Sequence, residues 1–160
     1  MMALTLHPEW AFAVAYLGKD VENRFWHPSP LQLPAGDWLA IHAGAHVGGK
    51  KGITAEKAGY SRLFETAERA GWRLDPSAAL VSEREVVPLS LLMCSAVVAL
   101  VRFQGACIRR GVWSVDGQSQ WRWDRMVRLP RPVPCRGAQA LWALPSEVEA
   151  EVRLRAGELP

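Results

Sequence analysis

The chain has 160 residues, 49% hydrophobic and 22% charged, with eight Trp, 13 Gly and 11 Pro. That balance excludes a disordered polymer, fits one compact domain, and through its many turn-forming residues argues against an all-helical bundle. Three widely spaced Cys (Cys94, Cys107 and Cys135), with no C-x-x-C pair, indicate neither a disulfide framework nor a zinc knuckle and fit a reduced, cytoplasmic setting.

The first 20 residues carry Glu9 and no basic leader, so export is not expected. After a short apolar start at 3–6, His7 and Pro8 mark the beginning of a helix, because Pro suits the first helical position and Glu9 the positive end of the dipole. Trp10, Ala13, Val14 and Leu17 recur at helical spacing and Gly18 follows as a stop. Phe12 and Tyr16 add a second apolar face, so this helix of about ten residues is expected to plug a barrel or lie between layers.

Residues 21–26 alternate, which places Glu22, Arg24 and Trp26 on one strand face and Val21, Asn23 and Phe25 on the other. The expected geometry is a concave cleft holding the three side chains, with Lys19 at its rim where Gly18 ends the helix. Pro28, Pro30, Pro34 and Gly36 form an extended loop into a strand at 38–43. The turn at 44–51 nearly spells a P-loop, but Lys51 stands where Ser or Thr would hold magnesium, so a basic turn is expected. His42 and His46 have no matching third ligand nearby in the sequence, so a zinc site is not expected there. Residues 57–72 read as a surface helix rich in charge.

The apolar run at 86–101 is interrupted by Pro88, Ser90 and Ser95 and falls short of the roughly 20 residues of a membrane helix. From 89 to 103 the spacing predicts one bent central strand or two successive ones. A polar loop at 109–120, an alternating strand at 121–129 and a closing strand at 138–144 follow. The tail from Ser146 reads as a short helix or frayed end that the fold does not need. Between 102 and 136 there are eight Arg against Asp116 and Asp124, interleaved with Trp113, Trp121 and Trp123. Such a stretch suits phosphate contacts beside stacking surfaces; solvated Arg on a sheet face is the alternative. Cys135, between Pro134 and Arg136, is expected to be a packed thiol.

Three segments carry a family resemblance: 4–26 (LTLHPEWAFAVAYLGKDVENRFW), 38–44 (WLAIHAG) and 123–142, with its RPVPCRGAQALW. Together they resemble the ASCH (activating signal cointegrator homology) domain, most specifically in the apolar helix running into G-K-x-x-E-N-R-x-W. The resemblance implies an α+β, PUA-like fold, a small β-barrel flanked by helices, spanning residues 1–145. Residues 45–85 would be a helical insertion and 146–160 a C-terminal tail. It further implies a cleft for RNA or a modified nucleotide, with single-stranded DNA as an alternative ligand and no cofactor, metal or membrane. Lys19, Glu22, Arg24, Trp26 and His42 would line that cleft, helped by Trp123, Arg125 and Arg136 of the Arg-rich stretch. Arg24 and Lys19 suit phosphate or a base carbonyl, and Glu22 suits a base amino group. Some relatives hydrolyse N4-acetylcytidine with a Lys that corresponds to Lys19, a Thr at the place of Glu22, and a later Glu; others are ribonucleases. An enzyme of this kind would use Lys19 and Glu22 as catalytic groups, but Glu22 replaces the Thr. Binding is therefore the first expectation, hydrolysis the second, and a protein-interaction domain with a vestigial cleft the third.

Overall fold

The computed structural model describes residues 1–29, 32–45, 49–108 and 110–159, apart from the side chains of 49–53 and 55. Of the predicted basic turn, His46 and the side chains of Lys50 and Lys51 lie outside the described residues. The element order is β1 (Met2–Leu6), α1 (Pro8–Tyr16), β2 (Val21–Arg24), β3 (Trp38–Ala43) and α2 (Gly49–Arg69). Three short strands follow, β4 (Arg73–Asp75), β5 (Ala79–Val81) and β6 (Val86–Pro88), then β7 (Ala96–Cys107), β8 (Ser119–Pro134), β9 (Leu141–Ala143) and α3 (Ser146–Ala156). Among the described residues no helix is long and apolar enough to cross a membrane.

The architecture is α+β. Six strands form one curled, half-barrel sheet in the order β2-β8-β7-β3-β1-β9, and β4-β5-β6 make a small meander apart from it. β1 runs parallel to β3, and the remaining pairs of the large sheet are antiparallel. A parallel neighbour cannot be reached by a tight turn, so the chain between them must cross over, and α1 and β2 are that crossover. The long β7–β8 hairpin shifts register near Val97, Arg102 and Phe103, and such bulges bend and twist a strand pair, which gives the sheet its curl.

α1 is buried on nearly every side: Ala11, Phe12, Ala13, Val14 and Ala15 are all inside. One flank packs with Leu4, Ile41, Phe103 and Trp121 of the sheet. The other packs with Leu63 and Ala67 of α2, then Trp72, Leu80 and Trp113. The expectation of a helix between layers holds, and it follows from apolar residues on both faces. Gly59 permits the close approach of α2, because a Cβ at that position would collide with the Glu9 carboxylate.

Several sequence expectations change. The predicted strand over 89–103 is divided, since Leu89–Leu91 is a 3₁₀ turn and the central strand starts only at Ala96. The closing strand shrinks to Leu141–Ala143 and pairs with β1 at the sheet edge; β2 and β9 remain as two edges, so the sheet is a half-barrel. The surface helix is α2, whose Leu63 and Ala67 are fully buried. The tail is integral: α3 buries Val152 against Leu129, Val133 and Leu144, the N-terminal amine pairs with Glu149, and Arg155 donates to the carbonyls of Arg131 and Pro132. Apolar burial and capped strand carbonyls make this helix part of the fold.

Candidate functional site

The site begins where α1 stops. Gly18 adopts φ +73°, the left-handed conformation that ends a helix, and the Lys19 amide reaches back to the Ala13 carbonyl at 3.2 Å. This bond spans six residues, closing over the last turn of α1, and it fixes the backbone of Lys19 before β2 begins. Trp123 of β8 completes the anchor, its Nε1 donating to the Lys19 carbonyl at 2.9 Å.

β2 then pairs with the start of β8, Glu22 opposite Trp121 and Arg24 opposite Ser119. Strand alternation turns Glu22 and Arg24 to the same side. The Lys19 Nζ donates to the Val21 carbonyl and to Glu22 Oε2, the latter at 3.0 Å, and lies 5.9 Å from the centre of the Trp123 ring. The other Glu22 oxygen is 3.3 Å from Arg24 Nε, and Arg24 Nη2 donates to the Thr5 carbonyl at 3.1 Å. Glu22 is thus held between two cations, with its side chain 11% exposed.

These three residues form the floor of a cavity of about 330 Å³. α1 contributes Trp10 to its lining, α2 contributes Arg62, Thr66 and Arg69, and the 112–118 loop closes the remaining side. Asn23 pins that loop: its Nδ2 donates to the Trp113 carbonyl at 2.8 Å and its Oδ1 accepts from the Val115 amide at 2.9 Å. Four cationic side chains, Lys19, Arg24, Arg62 and Arg69, face one carboxylate, Glu22. Two polar atoms in this lining, Arg24 Nε and Ser114 Oγ, are buried and make no hydrogen bond among the described residues. Arg24 Nε still faces the Glu22 carboxylate as an ion pair, but Ser114 Oγ has no partner among the described residues, a state that costs free energy and favours a ligand that supplies one.

A larger hollow of about 460 Å³ lies between Tyr16, Glu85, Leu91 and Arg128. Its cation is already engaged, the Arg128 guanidinium lying 4.8 Å over the Tyr16 ring. It lacks the convergent polar groups of the first cavity.

The structure brings Lys19, Glu22 and Arg24 together, but Lys19 is on the floor and 3% exposed, not at the rim. Trp26 does not join them. β2 ends at Arg24, and Trp26 packs edge-on against Trp121 at 4.6 Å while its carbonyl accepts from Trp121 Nε1. Trp123 backs the site from beneath Lys19 without lining the cavity. His42 is on β3 and outside the cavity lining, buried, with Nε2 3.1 Å from the Cys135 carbonyl, Nδ1 3.3 Å from Thr5 Oγ1 and its ring edge-on to Trp142. Burial pushes its pKa below the ordinary value, with the Cys135 carbonyl pulling the other way. Arg125 and Arg136 are exposed and outside the cavity, and Arg102 is committed to Asp124 at 2.5 and 2.9 Å, so the Arg-rich stretch spreads along the hairpin without converging. Cys135 is the packed thiol expected, its pKa raised by burial. Among the described residues no group of three His, Cys, Asp or Glu is arranged to hold a metal.

Sequence reasoning missed Arg62, Thr66 and Arg69. Their spacing of four and three residues puts them on one face of α2, a signal that was present but looked like ordinary solvated charge. It also missed Trp10 as a cavity wall, because its helical spacing marked it as core. No protein-family model matches the chain, and no curated protein matches it in sequence.

Proposed function

We propose that this protein is an ASCH-like, PUA-like domain that binds RNA or a modified nucleotide in the Lys19–Glu22–Arg24 cavity. The observation that carries this reading is Glu22, a carboxylate fixed between Lys19 and Arg24 on the floor of an otherwise cationic cavity. Such a carboxylate accepts a hydrogen bond from a base amino group, and a neighbouring guanidinium suits a base carbonyl. Trp10, half-buried in the cavity wall, offers an aromatic face for a base.

The geometry disfavours the hydrolase reading. Lys19 Nζ donates to two acceptors and the residue is 3% exposed, whereas a base or nucleophile would turn a lone pair toward the cavity.

Titrating the protein into labelled RNA oligonucleotides over a range of salt concentrations tests the proposal. Affinity is expected to fall linearly with the logarithm of salt concentration, because phosphate contacts release counterions. Glu22→Gln is expected to weaken binding about tenfold, the equivalent of one charge-assisted hydrogen bond near 1.4 kcal/mol. Absence of salt-sensitive binding to RNA, single-stranded DNA and nucleotides alike would end this reading, and turnover of N4-acylated cytidine abolished by Lys19→Met would replace it with the hydrolase.

A further inference from the structure

We infer that α2 supplies a phosphate grip, so that the cavity selects a phosphorylated nucleotide over the bare nucleoside; this rests on the nucleotide reading above. Arg62 and Arg69 are seven residues apart, two helical turns and about 10.5 Å along the axis, and so share one face of α2. Thr66 lies between them. Its Oγ1 donates to the Arg62 carbonyl at 2.8 Å and accepts from Arg69 Nη2 at 3.2 Å, which holds the second guanidinium in place. Both guanidinium groups line the cavity, both residues are exposed, and neither makes an ion pair among the described residues.

The floor opposite is different, since Glu22 pairs with both of its cations and leaves it a net charge of +1, two cations less one carboxylate, against +2 from Arg62 and Arg69 on α2. A phosphate at the floor would meet that carboxylate. The same group against α2 would meet two guanidinium forks, whose planar donors match phosphate oxygens. Charge therefore sets the polarity of the ligand, with the base toward Glu22 and the phosphate toward Arg62 and Arg69. A cavity of about 330 Å³ is at the small end of ligand sites, which run to about 1,000 Å³, and has room for one nucleotide rather than a run of stacked bases. The phosphate can belong to a free mononucleotide or to the end of a strand.

Calorimetry on the full chain with the four ribonucleosides, N4-acetylcytidine, and their 5′-monophosphates tests the inference. The monophosphate of at least one base is expected to bind ten times or more tighter than its nucleoside. In the Arg62→Gln/Arg69→Gln variant the two affinities are expected to converge, whereas Glu22→Gln is expected to weaken both and keep their ratio. Thr66→Val, which keeps both arginines but frees Arg69, is expected to lose part of the ratio. Short RNAs with and without a 5′-phosphate separate the two sources: discrimination there assigns a strand end, and its absence, with discrimination between the monomers kept, assigns a free nucleotide. Equal binding of nucleoside and monophosphate by the wild type, or a ratio that survives the double substitution, overturns the phosphate grip and leaves the nucleotide reading standing. Inorganic phosphate competing as strongly as the monophosphate also overturns it, by reducing the site to a bare anion pocket. No binding of any nucleoside, nucleotide or RNA overturns the nucleotide reading itself.

Discussion

Replacing Lys19 by Met removes a buried ammonium while keeping its apolar stem, and the consequences can be worked from its contacts. The Lys19 and Glu22 side chains are 2% and 11% exposed and 3.0 Å apart. Breaking one member of such a pair costs about 3–5 kcal/mol, because the survivor is left charged and poorly solvated. Here Arg24 remains 3.3 Å from the other Glu22 oxygen, which places the loss at the lower end, about 3 kcal/mol, including the unpaired Val21 carbonyl. With a urea slope of about 2 kcal/mol per molar, the unfolding midpoint is expected to drop by about 1.5 M. The variant should still fold, given that domains hold about 5–15 kcal/mol. The double variant Lys19→Met/Glu22→Met removes the stranded carboxylate, and Arg24, 26% exposed at its side chain, can turn to water. It is expected to recover about 2 kcal/mol relative to additivity. A single-variant shift below about 0.5 M, or strictly additive effects in the double variant, would show that Lys19 is not held as a buried ion pair.

The remaining expectations concern positions outside the cavity. His42 has a folded-state pKa below its ordinary 6.5, so protonation favours the unfolded chain; its contribution is complete above pH 6.5 and is lost as pH falls through the lower folded value. Urea midpoints measured from pH 8 down to 5 should fall below pH 6.5, and an imidazole titrating at or above 6.5 by NMR would contradict this. Val152→Ala should cost about 2 kcal/mol, two buried methyl groups and the space they leave, read as a lower midpoint; a change within about 0.5 kcal/mol would mean that α3 is an adornment after all.

The features legible in the sequence were those set by neighbours along the chain. α1 could be read as buried because Trp10, Ala13, Val14 and Leu17 mark one apolar face and Phe12 and Tyr16 a second, and its end because Gly18 is the residue that tolerates φ +73°. Glu22 and Arg24 followed from alternation alone. Trp26 failed because alternation was carried past Arg24, where β2 runs out of pairing at Ser119, the first residue of β8. His42 failed because β3 is buried on both faces, so a period of two cannot say which face looks into a cavity. The aim of α2 depends on Gly59 meeting Glu9 and on Leu63 and Ala67 meeting α1, contacts more than forty residues away in the chain that no local pattern encodes.

The anchoring of Lys19 by Trp123 also bears on how the protein assembles. The two residues are separated by 104 positions, and β2 has β8 as its sheet neighbour. Closing so long a loop is thermodynamically mild, each doubling costing about 0.6 kcal/mol, but distant pairing slows folding. During synthesis at about 5–20 residues per second, Lys19 and Glu22 wait about 5–20 s for Trp123 to emerge. Through that interval both charges stay hydrated, and their burial is deferred to the docking of β8. The cavity therefore arrives with the β2–β8 edge of the sheet, and a partly made chain with α1 already formed still has no site.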